Sequence, residues 1–252
     1  MRHDGKIALV TGAARGIGFS IAERLAEEGS HVVMADRIDA VQGAASELRG
    51  RGLTVEAREV DIGRSDAPMA LVDEILAQHG RLDILVNNAG VAPKHDGRKA
   101  LVEETSLEEW ADVLAINLTS VFLLCRSVVP AMRKTGWGRI INMSSVAARA
   151  KSDISGSAYC ASKAGVIGFS RVLAAEVGGA GICVNSIAPG RIMTPLAAVA
   201  GEEVNNRYIS LIPVGRLGQP DDIAAVASFL ASDDAAFVTG AVIDVNGGSF
   251  MA

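Results

Sequence analysis

Short apolar runs alternate with longer amphipathic segments along the chain. The runs Lys6–Thr11, His31–Ala35, Val55–Val60, Ile84–Asn87, Arg139–Met143, Ile182–Ile187 and Ala241–Val245 are rich in Val and Ile. They lack the two-residue alternation of a half-exposed strand, so they predict strands buried on both faces of a parallel sheet. Between them, 16–28, 39–51, 64–79, 107–133, 157–177 and 221–231 predict helices, the first with a one-sided stripe of Ile17, Ile21, Ala22 and Leu25. This alternation predicts an α/β fold: a doubly wound, seven-stranded parallel sheet with helices on both faces and right-handed crossovers. No Pro/Ser linker, repeat or low-complexity tract divides the sequence, so residues 1–252 are expected to form a single domain. Only Arg191 to Arg216 shows no clear period, and residues 191–216 are read as a substrate lid.

With 49% hydrophobic and 21% charged residues, the chain can bury a sizeable core and is not expected to be disordered. A net charge of −5 argues against nucleic-acid binding, which needs a clustered basic face. The N-terminal MRHDGKIALVTG is too short and polar before its first apolar run for a signal peptide. Val113 to Met132 is the longest apolar stretch, but Asn117, Thr119, Ser120 and Arg126 interrupt it, so no membrane span is expected. The four His and three Cys (Cys125, Cys160, Cys183) form no CxxC or HExxH pairing, which predicts no metal site and a reducing, cytoplasmic setting.

Directly after the first strand, TGAARGIG (11–18) leads into a helix. A glycine-rich turn of this kind lets backbone approach a pyrophosphate, while the helix N-terminus offers unpaired N–H groups and a positive dipole. An acid at the right distance strengthens the dinucleotide reading over that of a plain tight turn. Asp36 ends the second strand in VVMADR, placed to accept hydrogen bonds from a ribose diol. A carboxylate there would occupy the space of a 2′-phosphate, which favours NAD over NADP. Arg15 and Arg37 point the other way, since either could pair with a phosphate.

Tyr159 and Lys163, in YCASK, are spaced i, i+4 at the start of a helical segment and so share one face. A phenol titrates near pKa ~10, and bringing it to neutrality takes about 4 kcal/mol. A fixed ammonium nearby, helped by a positive nicotinamide, is a source for that shift. A solvated Tyr/Lys helix pair is the commoner meaning of such spacing taken alone.

Further strings stand in order along the chain: Asp61-Ile62, NNAG (87–90), Asn117, Ser144-Ser145, Pro189-Gly190 with Thr194, and IPVGRLGQPDDIA (212–224). Together with TGAARGIG and YCASK they resemble the short-chain dehydrogenase/reductase family over essentially the whole length. The resemblance implies a Rossmann fold and an NAD(P)-dependent oxidoreductase acting on a small alcohol or ketone. It implies Tyr159 as general acid/base, Lys163 as its pKa modifier and a ribose ligand, and Asn117 as holder of a water linking Lys163 to solvent. Ser145 or Ser144 would hydrogen-bond the substrate oxygen, and Ser145 matches the family pattern better. As cofactor residues it implies Gly12, Arg15, Gly16, Ile17, Gly18, Asp36, Arg37, Asp61, Ile62, Asn88, Ala89, Gly90, Pro189, Gly190, Ile192 and Thr194, besides Tyr159 and Lys163. No metal is needed for such a hydride transfer.

Val91–Thr105, Ala147–Ala158 and Arg191–Arg216 are expected to line the substrate end. Lys94, His95, Arg98, Lys99, Arg149 and Lys151 suit either an anionic substrate or a solvated loop surface, and solvated charge is the commoner case. Ile192, Met193 and Leu196 of the lid, with Phe250 and Met251, suit core or interface as well as substrate contacts. Many relatives with this pattern are 3-oxoacyl-carrier-protein reductases using NADPH, whose basic residues grip the carrier. Gly136 and Ala180 stand at the matching positions here, which weakens that assignment. A non-catalytic nucleotide-binding module would not need Asn117, Ser145, Tyr159 and Lys163 together, and an epimerase or dehydratase would be expected to carry a longer C-terminal substrate region. The family commonly forms homotetramers through its long helices and last strand, and the small residues Ala158, Ala161, Ala164, Gly165 and Gly168 suit close helix approach.

Overall fold

Seven parallel strands pair in the order β3-β2-β1-β4-β5-β6-β7. The structure, a computed structural model, describes residues 1–194 and 202–251. The strands are β1 (Ile7–Thr11), β2 (His31–Asp36), β3 (Val55–Glu59), β4 (Ile84–Asn87), β5 (Gly138–Met143), β6 (Ile182–Pro189) and β7 (Val242–Val245). Each expected strand is present, with no end moved by more than two residues. The central strands β1, β4 and β5 are buried almost throughout, as their continuous apolar runs require.

The helices are α1 (Gly16–Glu27), α2 (Ala40–Gly50), α3 (Ala67–His79), α4 (Leu107–Leu114), α5 (Ser120–Thr135), α6 (Ser157–Val177), α7 (Glu202–Leu211) and α8 (Pro220–Leu230). Two apolar layers sandwich the sheet. One gathers Ile21, Leu25, Val41, Leu48 and Ile223 from α1, α2 and α8 against Val10, Met34 and Val86. The other gathers Leu71, Ile75, Leu124, Val128 and Val166 from α3, α5 and α6 against Leu9, Val33 and Leu85. Full burial of each such side chain contributes on the order of 1.5–3 kcal/mol.

The single long helix expected over 107–133 is interrupted by a π turn at Ala115–Thr119. Ser106 caps its start by accepting a hydrogen bond from Glu109 N at 3.0 Å, and Gly136 in the left-handed region ends it. By length and composition alone Leu107–Thr135 is apolar enough to cross a membrane. Here it packs between α3 and α6, with Asn117 and Ser120 buried.

The reading of 191–216 as aperiodic needs correction: Glu202–Leu211 is helical. Its many polar residues hide it among the loops in the sequence. The expected lid residue Leu196 lies outside the described residues. The two roots of this segment are clipped together, Met193 N donating to Gly218 O at 2.8 Å and Gly218 N to Arg191 O at 3.0 Å.

Sheet order reverses between β1 and β4, so the loops leaving their C-terminal ends diverge and open a crevice. The residues singled out from the sequence gather around it.

Candidate active site

The turn after β1 is shaped by close approach. Gly12 has φ +67°, and a Cβ on it would stand 2.8 Å from Ala89 Cα. A Cβ on Gly18 would stand 2.1 Å from Gly12 O, so α1 can lie against the turn only without a side chain there. Arg15 is extended and gives α1 no side-chain cap, and the first turn holds no acidic residue. The N–H groups at this end are therefore left for an anion. Asp36 Oδ2 accepts from Ala14 N at 3.1 Å, which ties the end of β2 to the same turn. Arg15 and Arg37, both exposed, flank it. Ile62 is buried next to exposed Asp61, whose carboxylate accepts from Gly63 N at 2.9 Å.

On the other wall, Asn88 Nδ2 donates to Thr11 O at 2.9 Å and to Gly12 O at 3.1 Å. Thr11 Oγ accepts from the N–H groups of Asn88 and Ala89, each at 3.1 Å. Thr11 was not among the expected site residues, although it opens the TGAARGIG string. Below, Asn87 Nδ2 donates to Asn142 Oδ1 at 2.7 Å, and Asn142 Nδ2 to Ser170 Oγ at 2.8 Å. This buried polar ladder holds β4, β5 and α6 in register under the crevice.

Asn117 lies in the π turn and is fully buried. Its Oδ1 accepts from Val91 N at 2.8 Å, while Nδ2 donates to Val91 O at 2.9 Å and Ser162 Oγ at 3.1 Å. One side chain thus fixes the loop after NNAG and links it to α6. A Cβ on Gly90 would stand 3.3 Å from both Asn117 Oδ1 and Lys163 Nζ, so the bare glycine keeps that space open.

The sequence left two serines open, and the geometry separates them. Ser144 is buried and donates to Lys163 O at 2.9 Å. Ser145 hydrogen-bonds the Tyr159 side chain and accepts from Ala147 N at 3.1 Å. Tyr159 and Lys163 do share a face of α6, with Lys163 Nζ 5.9 Å from the centre of the Tyr159 ring. Yet Nζ donates to Met143 O at 2.7 Å, at the end of β5. Burial holds the Lys163 pKa down at about 8. Burial also raises the Tyr159 pKa above its ordinary value, against the opposing pull of the Ser145 hydrogen bond. A backbone acceptor such as Met143 O leaves no trace in a sequence.

At the far wall, Gly190 N donates to Val245 O at 3.0 Å, and a Cβ on Gly190 would meet Asn246 Cα at 2.8 Å. Pro189 ends β6, Ile192 is buried, and Thr194 leads into the segment not described. Over the substrate end, Lys94 and Lys99 donate to Ile154 O and Ser152 O respectively, pinning loop 91–105 onto loop 147–158. His95 and Arg98 pair instead with Glu109 and Glu104, and Arg149 with Asp244. Arg98 and Arg149 are neutralised within the fold and His95 is taken up by Glu109, which leaves fewer groups for an anionic substrate than the sequence suggested.

The crevice therefore joins an uncapped helix N-terminus, an acid at the end of β2, the buried Lys163 and Asn117 and the half-buried Tyr159 and Ser145, a set that fits a nicotinamide dinucleotide. Residues 12–249 match the family described as Enoyl-(Acyl carrier protein) reductase. The chain belongs to the short-chain dehydrogenases/reductases, NAD(P)-dependent oxidoreductases acting on CH–OH groups. It is 44% identical to a D-threitol dehydrogenase of Mycolicibacterium smegmatis over 249 residues, 98% of this chain and 94% of that one. A crystal structure of a 3-oxoacyl-[acyl-carrier protein] reductase with bound NAD from Brucella melitensis superposes with a TM-score of 0.92 at 41% identity, covering 100% of this chain and 93% of that one. A structure described as an NAD(P)-dependent gluconate 5-dehydrogenase from Beutenbergia cavernae, with bound NADP, superposes at 0.91 with 39% identity, covering 98% and 97%.

Proposed function

We propose that the chain is an NAD(H)-linked dehydrogenase of a small secondary alcohol or ketone, with Tyr159 as the proton-transferring group. The observation that carries this reading is the meeting of Ser145, Tyr159 and Lys163, whose Nζ lies 5.9 Å from the Tyr159 ring, across a crevice whose other wall is the glycine turn. Two hydroxyls at one point suit a substrate oxygen: Ser145 orients it while Tyr159 gives or takes its proton. Bound nicotinamide supplies the hydride acceptor or donor and, when oxidised, a positive ring that favours the phenolate. Lys163 holds its place through Met143 O and lends positive charge to the same pocket. The amide of Asn117 is committed to Val91 and Ser162, so a water relaying protons to Lys163 would rest on the Asn117 backbone carbonyl.

Asp36 supports the preference for NAD. Held by Ala14 N at the turn, its carboxylate stands where a ribose diol would donate and a 2′-phosphate would be repelled. Arg15, Gly16, Ile17, Gly18, Asp61, Ile62, Asn88, Ala89 and Gly90 complete the cofactor side, and Pro189, Gly190, Ile192 and Thr194 the nicotinamide end. We read the whole chain as one domain in which 191–216 closes over substrate, hinged where Met193 and Arg191 pair with Gly218. Three free cysteines, two of them buried, suit a reducing cytoplasmic setting.

A polyol or sugar-derived substrate is supported by the D-threitol and gluconate dehydrogenases among the relatives. Reduction of a 3-oxoacyl carrier protein is the second reading, favoured by the Brucella structure and weakened by the uncharged Gly136 and Ala180. A panel of polyols, sugar acids and 3-oxoacyl thioesters, assayed with NAD(H) and NADP(H) in parallel by reduced-nicotinamide absorbance, separates the two. Turnover of the thioester alone, or with NADPH alone, would overturn the first reading.

A further inference from the structure

At the end of the sheet remote from the crevice, three metal-ligating side chains converge. His31 starts β2, Glu56 lies in β3 and His79 is the last residue of α3. His79 Nε2 is 2.6 Å and His31 Nε2 3.6 Å from the same oxygen, Glu56 Oε1. The three donor atoms all lie within 4.8 Å of one another. The rings meet edge to face, with centroids 4.7 Å apart. The side chains of His31, Glu56 and His79 are 30%, 18% and 11% exposed, so an ion could enter and keep a water.

The second carboxylate oxygen is already engaged. Glu56 Oε2 accepts from Arg58 Nη2 at 3.1 Å and from Gln78 Nε2 at 3.0 Å, and Arg58 Nη2 also donates to Gln78 Oε1 at 2.6 Å. These contacts fix the carboxylate's rotation and turn Oε1 toward the two imidazoles, the work that outer hydrogen bonds do in metal sites. The position at the C-terminus of α3 adds a favourable dipole for a cation. Arg58 opposes this with its own charge, which Glu74 Oε2 at 3.9 Å partly offsets.

We propose that His31, Glu56 and His79 form a binding site for a divalent transition ion of the zinc class, with water as the fourth ligand. Bonds of about 2.0–2.2 Å to imidazole nitrogen and carboxylate oxygen place tetrahedral ligands roughly 3.4 Å apart. His31 already meets that spacing with Glu56, and His79 needs to withdraw by less than an ångström. Two imidazoles select zinc, nickel or copper over magnesium and calcium, which prefer all-oxygen shells. The ion would staple β2, β3 and α3. It would take no part in hydride transfer, because β2 runs from His31 to Asp36 and, at ~3.3 Å per residue, separates the two sites by roughly 16 Å.

The test is a Zn²⁺ titration of the full, untagged chain against a chromophoric chelator, with thermal unfolding followed in Zn²⁺ and in Mg²⁺. Binding of a single equivalent and a rise in Tm with Zn²⁺ but not Mg²⁺ are expected. H31Q and H79Q should each weaken binding roughly tenfold or more, while H95Q, at the other exposed His–Glu pair, should not. Histidine-ring NMR of the wild type gives a readout that needs no variant: His31 and His79 resonances should shift and those of His3 and His95 should stay. NAD(P)-linked turnover should be unaffected by H31Q. Zinc binding that survives H31Q and H79Q unchanged, ring resonances of His31 and His79 that do not respond, or no Zn²⁺-dependent stabilisation of the wild type would each overturn the site.

Discussion

Lys163 Nζ lies 5.9 Å from the centre of the Tyr159 ring but gives its hydrogen bond to Met143 O at 2.7 Å. The ammonium is thus anchored to the sheet, while burial raises the Tyr159 pKa and the Ser145 hydroxyl pulls it back down.

Y159F should lose turnover by about 10²–10⁴-fold, the usual contribution of a positioned acid/base. Cofactor affinity, measured by fluorescence titration, should remain close to wild type. Retained turnover would exclude the phenol as the proton carrier.

Alcohol oxidation needs Tyr159 to accept a proton, so it should rise with pH, and carbonyl reduction should fall over the same limb. Burial raises this pKa and the Ser145 hydrogen bond lowers it. S145A should therefore move the limb of the kcat/KM profile to higher pH as well as slowing turnover. An unmoved limb would separate Ser145 from the titrating group.

Lys163 has a folded pKa of about 8 against an ordinary value of 10.5. Between these values the unfolded chain binds more protons than the folded one, so this residue's contribution to stability rises with pH, by at most about 1.4 kcal/mol per unit. Below the lower value its burial penalty is fully felt. Denaturant unfolding of the wild type and K163M across this window should show the wild type gaining stability relative to the variant as pH rises.

D36A removes the charge beside the ribose position and the acceptor for Ala14 N. Loss of a hydrogen bond to a charged group, about 1.5–3 kcal/mol, should cut kcat/KM for NAD by roughly 10–100-fold. Use of NADP should fall less or improve, since Arg15 and Arg37 remain. An unchanged NAD/NADP ratio would remove Asp36 from cofactor choice.

Phe122 on α5 and Val172 on α6 are 44% and 59% exposed, and Phe122 meets Phe169 edge to face. An apolar surface on two neighbouring long helices supports the homotetramer expected of the family. F122D with V172D should lower the mass seen by sedimentation to that of a smaller species. A wild type that sediments as a monomer would refute the expectation.

The alternation of apolar runs carried the sheet and both helical layers, because strands buried on both faces must be apolar throughout. The expected strands β1 to β7 all formed. Helix α7 escaped notice because Glu202–Leu211 is short and mostly polar, with few apolar positions to set a period. The π turn was equally hidden. It depends on how Asn117 satisfies Val91 and Ser162, partners 26 and 45 residues away.

The placement of Tyr159 and Lys163, the glycines of the turn and Asp36 was legible in the sequence because each is set by local geometry: one helical turn, one strand-to-helix bend, one strand end. The different environments of Ser144 and Ser145, the Lys163 contact to Met143 O and the convergence of His31, Glu56 and His79 belong to the tertiary structure alone. They join segments far apart in the chain, or use backbone atoms that every residue carries. Hydrophobic periodicity reports which face of an element is buried; only packing decides which polar atoms then meet.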